Sequence, residues 1–371
     1  MLAQTYAALI SIATTIVNPD DVNSLKKSFA DIENWQEFTR ETEIHGLSVM
    51  VGYLAKTHDL NLPKMVDLQL KALTIRHQKV LKARETVLAD VIDIFERNNI
   101  TFALLKGAAL SPLIYNPPWL RPMRDIDILV TPDSAQSAQV LLRDIDFKNK
   151  DFTKGYMFNH HHLPNSTRIQ DGFTISLEVH HDALSGDVDA SIKLVQSTNN
   201  LHSFDFAGKR AFSLGHTDAL MHLCHHTFEP AKTIKIGSMI DMAHYAGTFS
   251  SEIDWPTLRS THPRIENTLR CINALIPLPE NLKHQLGIKH NSRWKPSGLG
   301  QGFIPLTQIS ALRSKKEKLR ELLLPSQWWT HIFYCIAPER SLCFTRVIWH
   351  PYILMKWIFR RYWAAYQSKN I

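Results

Sequence analysis

Apolar positions in the first hundred residues recur mostly at three- and four-residue steps. Trp35, Phe38, Ile44, Leu47 and Val51 follow this spacing, and Leu81 to Phe95 repeats it without glycine or proline. Such a period places one apolar stripe along a helix. The opening run MLAQTYAALISIATTIV reads as a further core-facing helix, since it has neither the basic leader nor the small-residue cleavage site of a secretory signal. Residues 1–99 are therefore expected to form a helical N-terminal region.

The period changes after Ile100. Thr101 to Leu105, Ile126 to Val130 and Phe173 to Val179 are short β-rich runs. Between the second and third, Thr131 offers a cap, Pro132 suits a first turn, Asp133 favours the helix dipole, and Ala135, Ala138 and Leu142 supply an apolar stripe. Residues 100–214 are expected to form an α/β core. Helical spacing returns after Gly215, in Ala219 to Phe228 and Thr233 to Tyr245, followed by an irregular stretch up to Gln308. Residues 215–371 are read as a helical C-terminal region. The fold class predicted is α+β, a small mixed sheet flanked by helices.

Composition narrows the function classes. With 44% hydrophobic and 21% charged residues, and neither glycine nor proline in excess, the chain is globular rather than collagenous or disordered. A formal charge of +7 favours phosphate-bearing partners without identifying one. The four cysteines form no CxxC pair, so neither a disulfide framework nor a structural zinc site is indicated, and a reducing cytoplasm is expected. No transmembrane segment is expected, because the most apolar late run, Tyr352 to Phe359, is interrupted by Lys356. The tail from Arg340 to Ile371 mixes Trp349, Tyr352, Trp357, Tyr362 and Trp363 with Arg346, Lys356, Arg360 and Arg361. A packed terminal helix with snorkelling cations is the preferred reading over a membrane or nucleic-acid contact.

The candidate chemistry lies in the central region. Leu104-Leu105-Lys106-Gly107-Ala108 runs from a strand into a helix, which brings backbone N–H groups and a cation to a helix start, a layout suited to a triphosphate. In Arg124-Asp125-Ile126-Asp127-Ile128-Leu129-Val130, strand alternation sends Ile126, Ile128 and Val130 to one face and Asp125 and Asp127 to the other. Adjacent anions repel unless a cation lies between them, and hard oxygen ligands favour Mg2+ or Mn2+. Alternation in Thr174 to His180 likewise groups Ser176, Glu178 and His180, so Glu178 can complete a carboxylate triad with Asp125 and Asp127. His180 could orient Glu178 or touch a phosphate, while Arg121 and Arg124 could bind phosphates or neutralise the aspartates.

These segments, Leu105-Lys106-Gly107, Arg121 to Val130 and Leu177-Glu178-Val179-His180, resemble an uncharacterised bacterial nucleotidyltransferase family of the DNA polymerase β-like superfamily. The resemblance extends through Leu220 to His226, Ile240-Asp241-Met242 and, more faintly, Leu324-Pro325-Ser326. It implies Mg2+-dependent transfer of a nucleotidyl group from an NTP donor, with Asp125, Asp127 and Glu178 as catalytic metal ligands. It leaves the acceptor open among a small molecule, a saccharide and a protein, with nucleic acid not favoured. Two positions depart from the superfamily pattern: Lys106-Gly107-Ala108 stands where Gly-Ser or Gly-Gly is usual, and Glu178 where Asp is frequent.

Bland alternatives weigh against several features. Asp-x-Asp alone is more often a solvated edge than a metal site. Arg143-Asp144-Ile145-Asp146 repeats Arg124 to Asp127 with no apolar strand behind it, and reads as a helix end. His222 and His226 share a helical face, where packing or active-site hydrogen bonding is favoured over zinc; His160-His161-His162 reads as a loop near the substrate. The rival from another class is a non-catalytic nucleotide- or nucleic-acid-binding protein that kept the fold.

Overall fold

The computed structural model describes residues 2–19, 22–151, 156–184, 191–195, 200–227, 235–288, 323, 330–331, 334, 336–338 and 340–367. The Leu324-Pro325-Ser326 segment and residues 289–308 of the irregular stretch lie outside the described residues, while its earlier part up to Ile288 is described.

The N-terminal part is a series of helices joined by short connections: α1 (Leu2–Val17), α2 (Val22–Ala30), α3 (Trp35–His45), α4 (Ser48–Thr57) and α5 (Lys64–Arg97). Asn34 caps α3 by accepting the Glu37 N–H, and Gly46 ends it in a left-handed conformation at φ +75°. Next come β1 (Phe102–Leu105), α6 (Lys106–Ile114), β2 (Ile126–Val130), α7 (Ala135–Leu141), α8 (Tyr156–Asn159), β3 (Ser166–Gln170), β4 (Phe173–His180), β5 (Leu201–Phe206) and β6 (Lys209–Leu214). The last group is α9 (His216–Thr227), α10 (Ile236–Thr248), α11 (Trp255–Thr261), α12 (Arg264–Asn273), α13 (Glu280–Gln285) and α14 (His350–Gln367). The class is α+β.

The strands form one mixed sheet in the order β3-β4-β2-β1-β6-β5. β2 runs antiparallel to β1 and parallel to β4, and β1 is parallel to β6. Two-residue turns join the outer hairpins, at Asp171-Gly172 between β3 and β4 and at Ala207-Gly208 between β5 and β6. All four of these residues have positive φ, which matches the right-handed twist of the paired strands.

Period-2 alternation sorts the sheet's side chains onto two cores. Phe102, Leu104, Ile126, Ile128, Val130, Ile175, Leu177 and Val179 pack with Val87, Val91, Ile92 and Phe95 of α5 and with Ala135 and Ala138 of α7. On the opposite face Ala103, Leu105 and Leu129 join a cluster drawn from α1, α4, α9, α10 and α12. Helices from both ends of the chain therefore share one core over the face that carries Asp127.

One local expectation differs in detail. Thr131 donates its hydroxyl to Ser134 Oγ at 2.8 Å rather than capping a backbone N–H, and residues Pro132–Ser134 form a 3-10 turn before α7 begins. Arg143 to Asp146 ends that helical segment, with Asp146 left-handed at φ +66°.

Candidate active site

Asp127 stands at the middle of the sheet because β2 is flanked by β1 and β4. The parallel pairing of β2 with β4 sets Asp127 opposite Glu178 and Leu129 opposite His180, and partners in register project to the same face. Oxygens of Asp127 and Glu178 and a ring nitrogen of His180 lie within 4.8 Å of one another. Asp125 immediately precedes β2 and is half-buried.

Lys106 enters from β1, whose last residue Leu105 pairs with Asp127. Lys106 adopts φ +46°, a left-handed conformation that turns the chain sharply from β1 into α6. Its Nζ donates to Asp127 Oδ1 at 2.8 Å, and His180 Nε2 donates to the same oxygen at 2.9 Å while lying 3.6 Å from Glu178 Oε2. Asp127 and His180 are only 2% and 1% exposed, so these contacts act with little screening by water.

The charges follow from this geometry. Burial opposes ionisation of Asp127, but Lys106 and His180 outweigh it and hold the carboxyl well below the usual carboxylate range. Burial raises the Asp125 carboxyl and neighbouring Asp127 raises it further, with Lys106 acting against both. Neighbouring His180, with Nε2 3.6 Å from Oε2, lowers Glu178 against the effect of its partial burial. For His180 itself burial disfavours the cation, yet its hydrogen bond to Asp127 and the nearby Glu178 carboxylate prevail and raise its pKa. Two adjacent groups thus shift oppositely, one carboxyl up and one down, the pattern expected where charge is concentrated for chemistry.

The positively charged residues divide. Arg121 binds Asp241 of α10 through both Nε and Nη2, at 3.1 and 2.8 Å to Oδ2, and Tyr115 donates to Asp241 Oδ1 at 2.6 Å. Arg121 is thereby part of the wall between α6 and α10. Gly107 packs beneath it: a Cβ there would lie 2.8 Å from Met123 Cβ and 3.1 Å from Arg121 Nη1. Arg124 is exposed, and half-buried Lys235 at the start of α10 has its pKa lowered by burial and then by Arg124 and Arg121. Behind Asp125, buried Arg84 donates to the Arg124 carbonyl at 3.0 Å; burial lowers its pKa to about 10, against the pull of Asp125.

Three contributors escape the sequence reading in these roles. Arg84 sits on a long helix whose polar positions look solvated, and Lys235 follows a segment without clear period. Asp241 is one acid in an otherwise apolar helix, and that isolation is the signal that could have marked it. His161 and His162, in the triple-histidine loop, come to 5.4 and 5.2 Å from the His180 ring, and His162 forms a bridge to His180. His222 is fully buried and kept neutral, its pKa lowered to about 3 by burial and by Lys106 and His180.

The donor set fits a hard divalent cation. Asp125 and Asp127 both feel the charge of Lys106, and burial, then Asp127 and more weakly Glu178, raise the Asp125 carboxyl against it. Oxygen ligands in surplus negative charge suit Mg2+ or Mn2+. Among the described residues no helix is long and apolar enough to cross a membrane.

No curated protein and no solved structure matches the chain. One family model does, described as "Uncharacterised nucleotidyltransferase", over residues 31–276, which include α3 to α12, the whole sheet and every residue of the carboxylate cluster. The match covers well over half the sequence and agrees with the resemblance carried by Lys106-Gly107, Arg121 to Val130 and Leu177 to His180, so the chain belongs to this family of uncharacterised nucleotidyltransferases.

Proposed function

We propose that this protein transfers an NMP group from an NTP to a hydroxyl or phosphate acceptor on a small molecule, a saccharide or a protein. The acceptor oxygen attacks the α-phosphorus, the bond from that phosphorus to the β-phosphate bridging oxygen breaks, and pyrophosphate leaves. The observation that carries this reading is the register of β2 on β4, which pairs Asp127 with Glu178 on one face.

Asp125, Asp127 and Glu178 are the residues that would hold Mg2+, with Mn2+ as a substitute. When bound, such an ion neutralises charge developing on the phosphoryl oxygens. Lys106 and His180 supply the rest of the balance by fixing Asp127 in its ionised form and one orientation. His180 is a positioning residue in this scheme, since its Nε2 proton is directed at Asp127. Glu178 is less buried than Asp127, at 21% exposed against 2%, which suits it to accept the proton of an acceptor hydroxyl. Arg124 and Lys235 are the cations available to the triphosphate, while Arg121 holds the wall through Asp241 and Gly107 lets the 121–123 turn close onto α6.

The test is incubation of the full chain with each labelled NTP, Mg2+ and cell extract, followed by identification of labelled species and released pyrophosphate. Asp127→Asn is expected to reduce transfer by about a hundredfold or more, matching several kcal/mol of lost charge stabilisation. Asp125→Asn should behave alike. Undiminished transfer by both variants would eliminate the proposal.

A further inference from the structure

We infer that the chain carries a second metal site, for a borderline divalent ion of the Zn2+ type, formed by His202, His216 and Glu252. His202 lies on β5, His216 opens α9, and Glu252 follows α10. One ligand atom from each falls within 4.8 Å of the other two. None of the three belongs to the carboxylate cluster. β5 is the third strand from β2 across the sheet, about 14 Å away at the usual strand spacing.

The ring of His216 is the anchor. Its side chain is 8% exposed, and its Nδ1 meets the hydroxyl of buried Tyr245 at 3.0 Å. With the proton on Nδ1 and donated to Tyr245 Oη, the lone pair of Nε2 points away from the core. Metal-binding histidines are commonly oriented by a hydrogen bond of this kind on the far ring nitrogen. That Nε2 is buried and 3.1 Å from Glu252 Oε2, yet lacks the alignment of a hydrogen bond to it. Two lone-pair-bearing atoms so placed repel unless a proton or a metal ion lies between them.

Distances suit zinc. Ligand atoms around a tetrahedral Zn2+ with bonds of about 2.0–2.1 Å are separated by roughly 3.3 Å, and the His216–Glu252 pair already stands at 3.1 Å. The His202 ring lies 4.5 Å from that of His216, inclined at 53°, so a small side-chain rotation brings its nitrogen into the same shell. Glu252 is 52% exposed, leaving the fourth position open to water. Two imidazoles and one carboxylate select Zn2+ over Mg2+, which prefers an all-oxygen shell. The ion would tie the edge strand β5 to the start of α9 and the end of α10.

The test uses the full chain stripped by chelator and titrated with Zn2+ in excess Mg2+, with affinity read by competition against a chromophoric chelator. Wild type is expected to bind about one equivalent, and so is Glu178→Gln, which alters the catalytic cluster instead. His202→Asn and Glu252→Gln should each weaken binding by about tenfold or more. Co2+ in place of Zn2+ should give visible absorption of a low-coordinate ion in wild type, lost in Glu252→Gln. A measurement on wild type alone completes the test: Zn2+ should protect His202 from carbethoxylation, read by mass spectrometry. The inference is overturned if wild type binds no Zn2+ beside Mg2+, if both variants bind it unchanged, if Glu178→Gln is the variant that loses it, or if His202 is unprotected.

Discussion

Lys106 shows how much one side chain sets in this protein. Its left-handed backbone, a conformation that disfavours L residues by about 1–2 kcal/mol, directs the ammonium back over β2 to Asp127. Lys106→Met would leave the buried carboxylate with His180 as its remaining close cation. A stability loss of about 3–5 kcal/mol, the scale of breaking a buried ion pair, is expected in urea unfolding. The variant should also regain part of the loss on adding Mg2+, while wild-type stability responds little. Equal Mg2+ responses in the two proteins would mean that Lys106 does not neutralise Asp127. From sequence the residue reads as a phosphate ligand, because a lysine before a glycine at a helix start has that local chemistry; the carboxylate it reaches lies across the β1–β2 pairing, which spacing alone does not reveal.

At the scale of elements, the central strands are legible because they are short, apolar and alternating: the run Ile126 to Val130 is β2 itself, and Phe173 to Val179 falls one residue short of β4. The outer strands are less so. β3, β5 and β6 carry polar residues on both sides, such as His202 and Asp205 in β5 and Lys209 and Arg210 in β6, and so lack the apolar-in, polar-out alternation that marks a half-buried strand. Their turns do leave a trace, since Asp-Gly between β-forming residues is a strong hairpin signal, and it occurs at Asp171-Gly172. That turn fixes the register in which Glu178 stands. Gly172→Ala, at φ +78°, is expected to cost about 1–2 kcal/mol with transfer activity retained, because the open surroundings of the turn allow the register to persist. Loss of activity at full stability would show instead that the hairpin moves during the reaction. The carboxylate pair itself was readable, through alternation on two strands, whereas the Arg121–Asp241–Tyr115 wall joins residues more than a hundred positions apart and has no local signature.

For the molecule as a whole, two buried neutral histidines set the acid limit. His45 Nδ1 accepts the Ile236 N–H at 3.1 Å, tying α3 to α10, and burial followed by Lys235 lowers its pKa to about 3. His222 is lowered to about 3 as well. The unfolded chain takes up these protons near pH 6.5 while the folded chain refuses them, so stability is whole above that pH and falls as pH drops towards about 3. The slope is about 1.4 kcal/mol per pH unit for each histidine. His45→Gln should flatten the profile by one such contribution in urea unfolding between about pH 6 and about pH 4; an unchanged slope would show that His45 is not kept neutral. The pairing of Lys106 with Asp127 bears on a different economy. An acidic floor that brings its own counter-ion is electrically settled in the resting protein, so the scaffold can keep its shape between encounters with nucleotide and leave to the incoming ion only the work of chemistry.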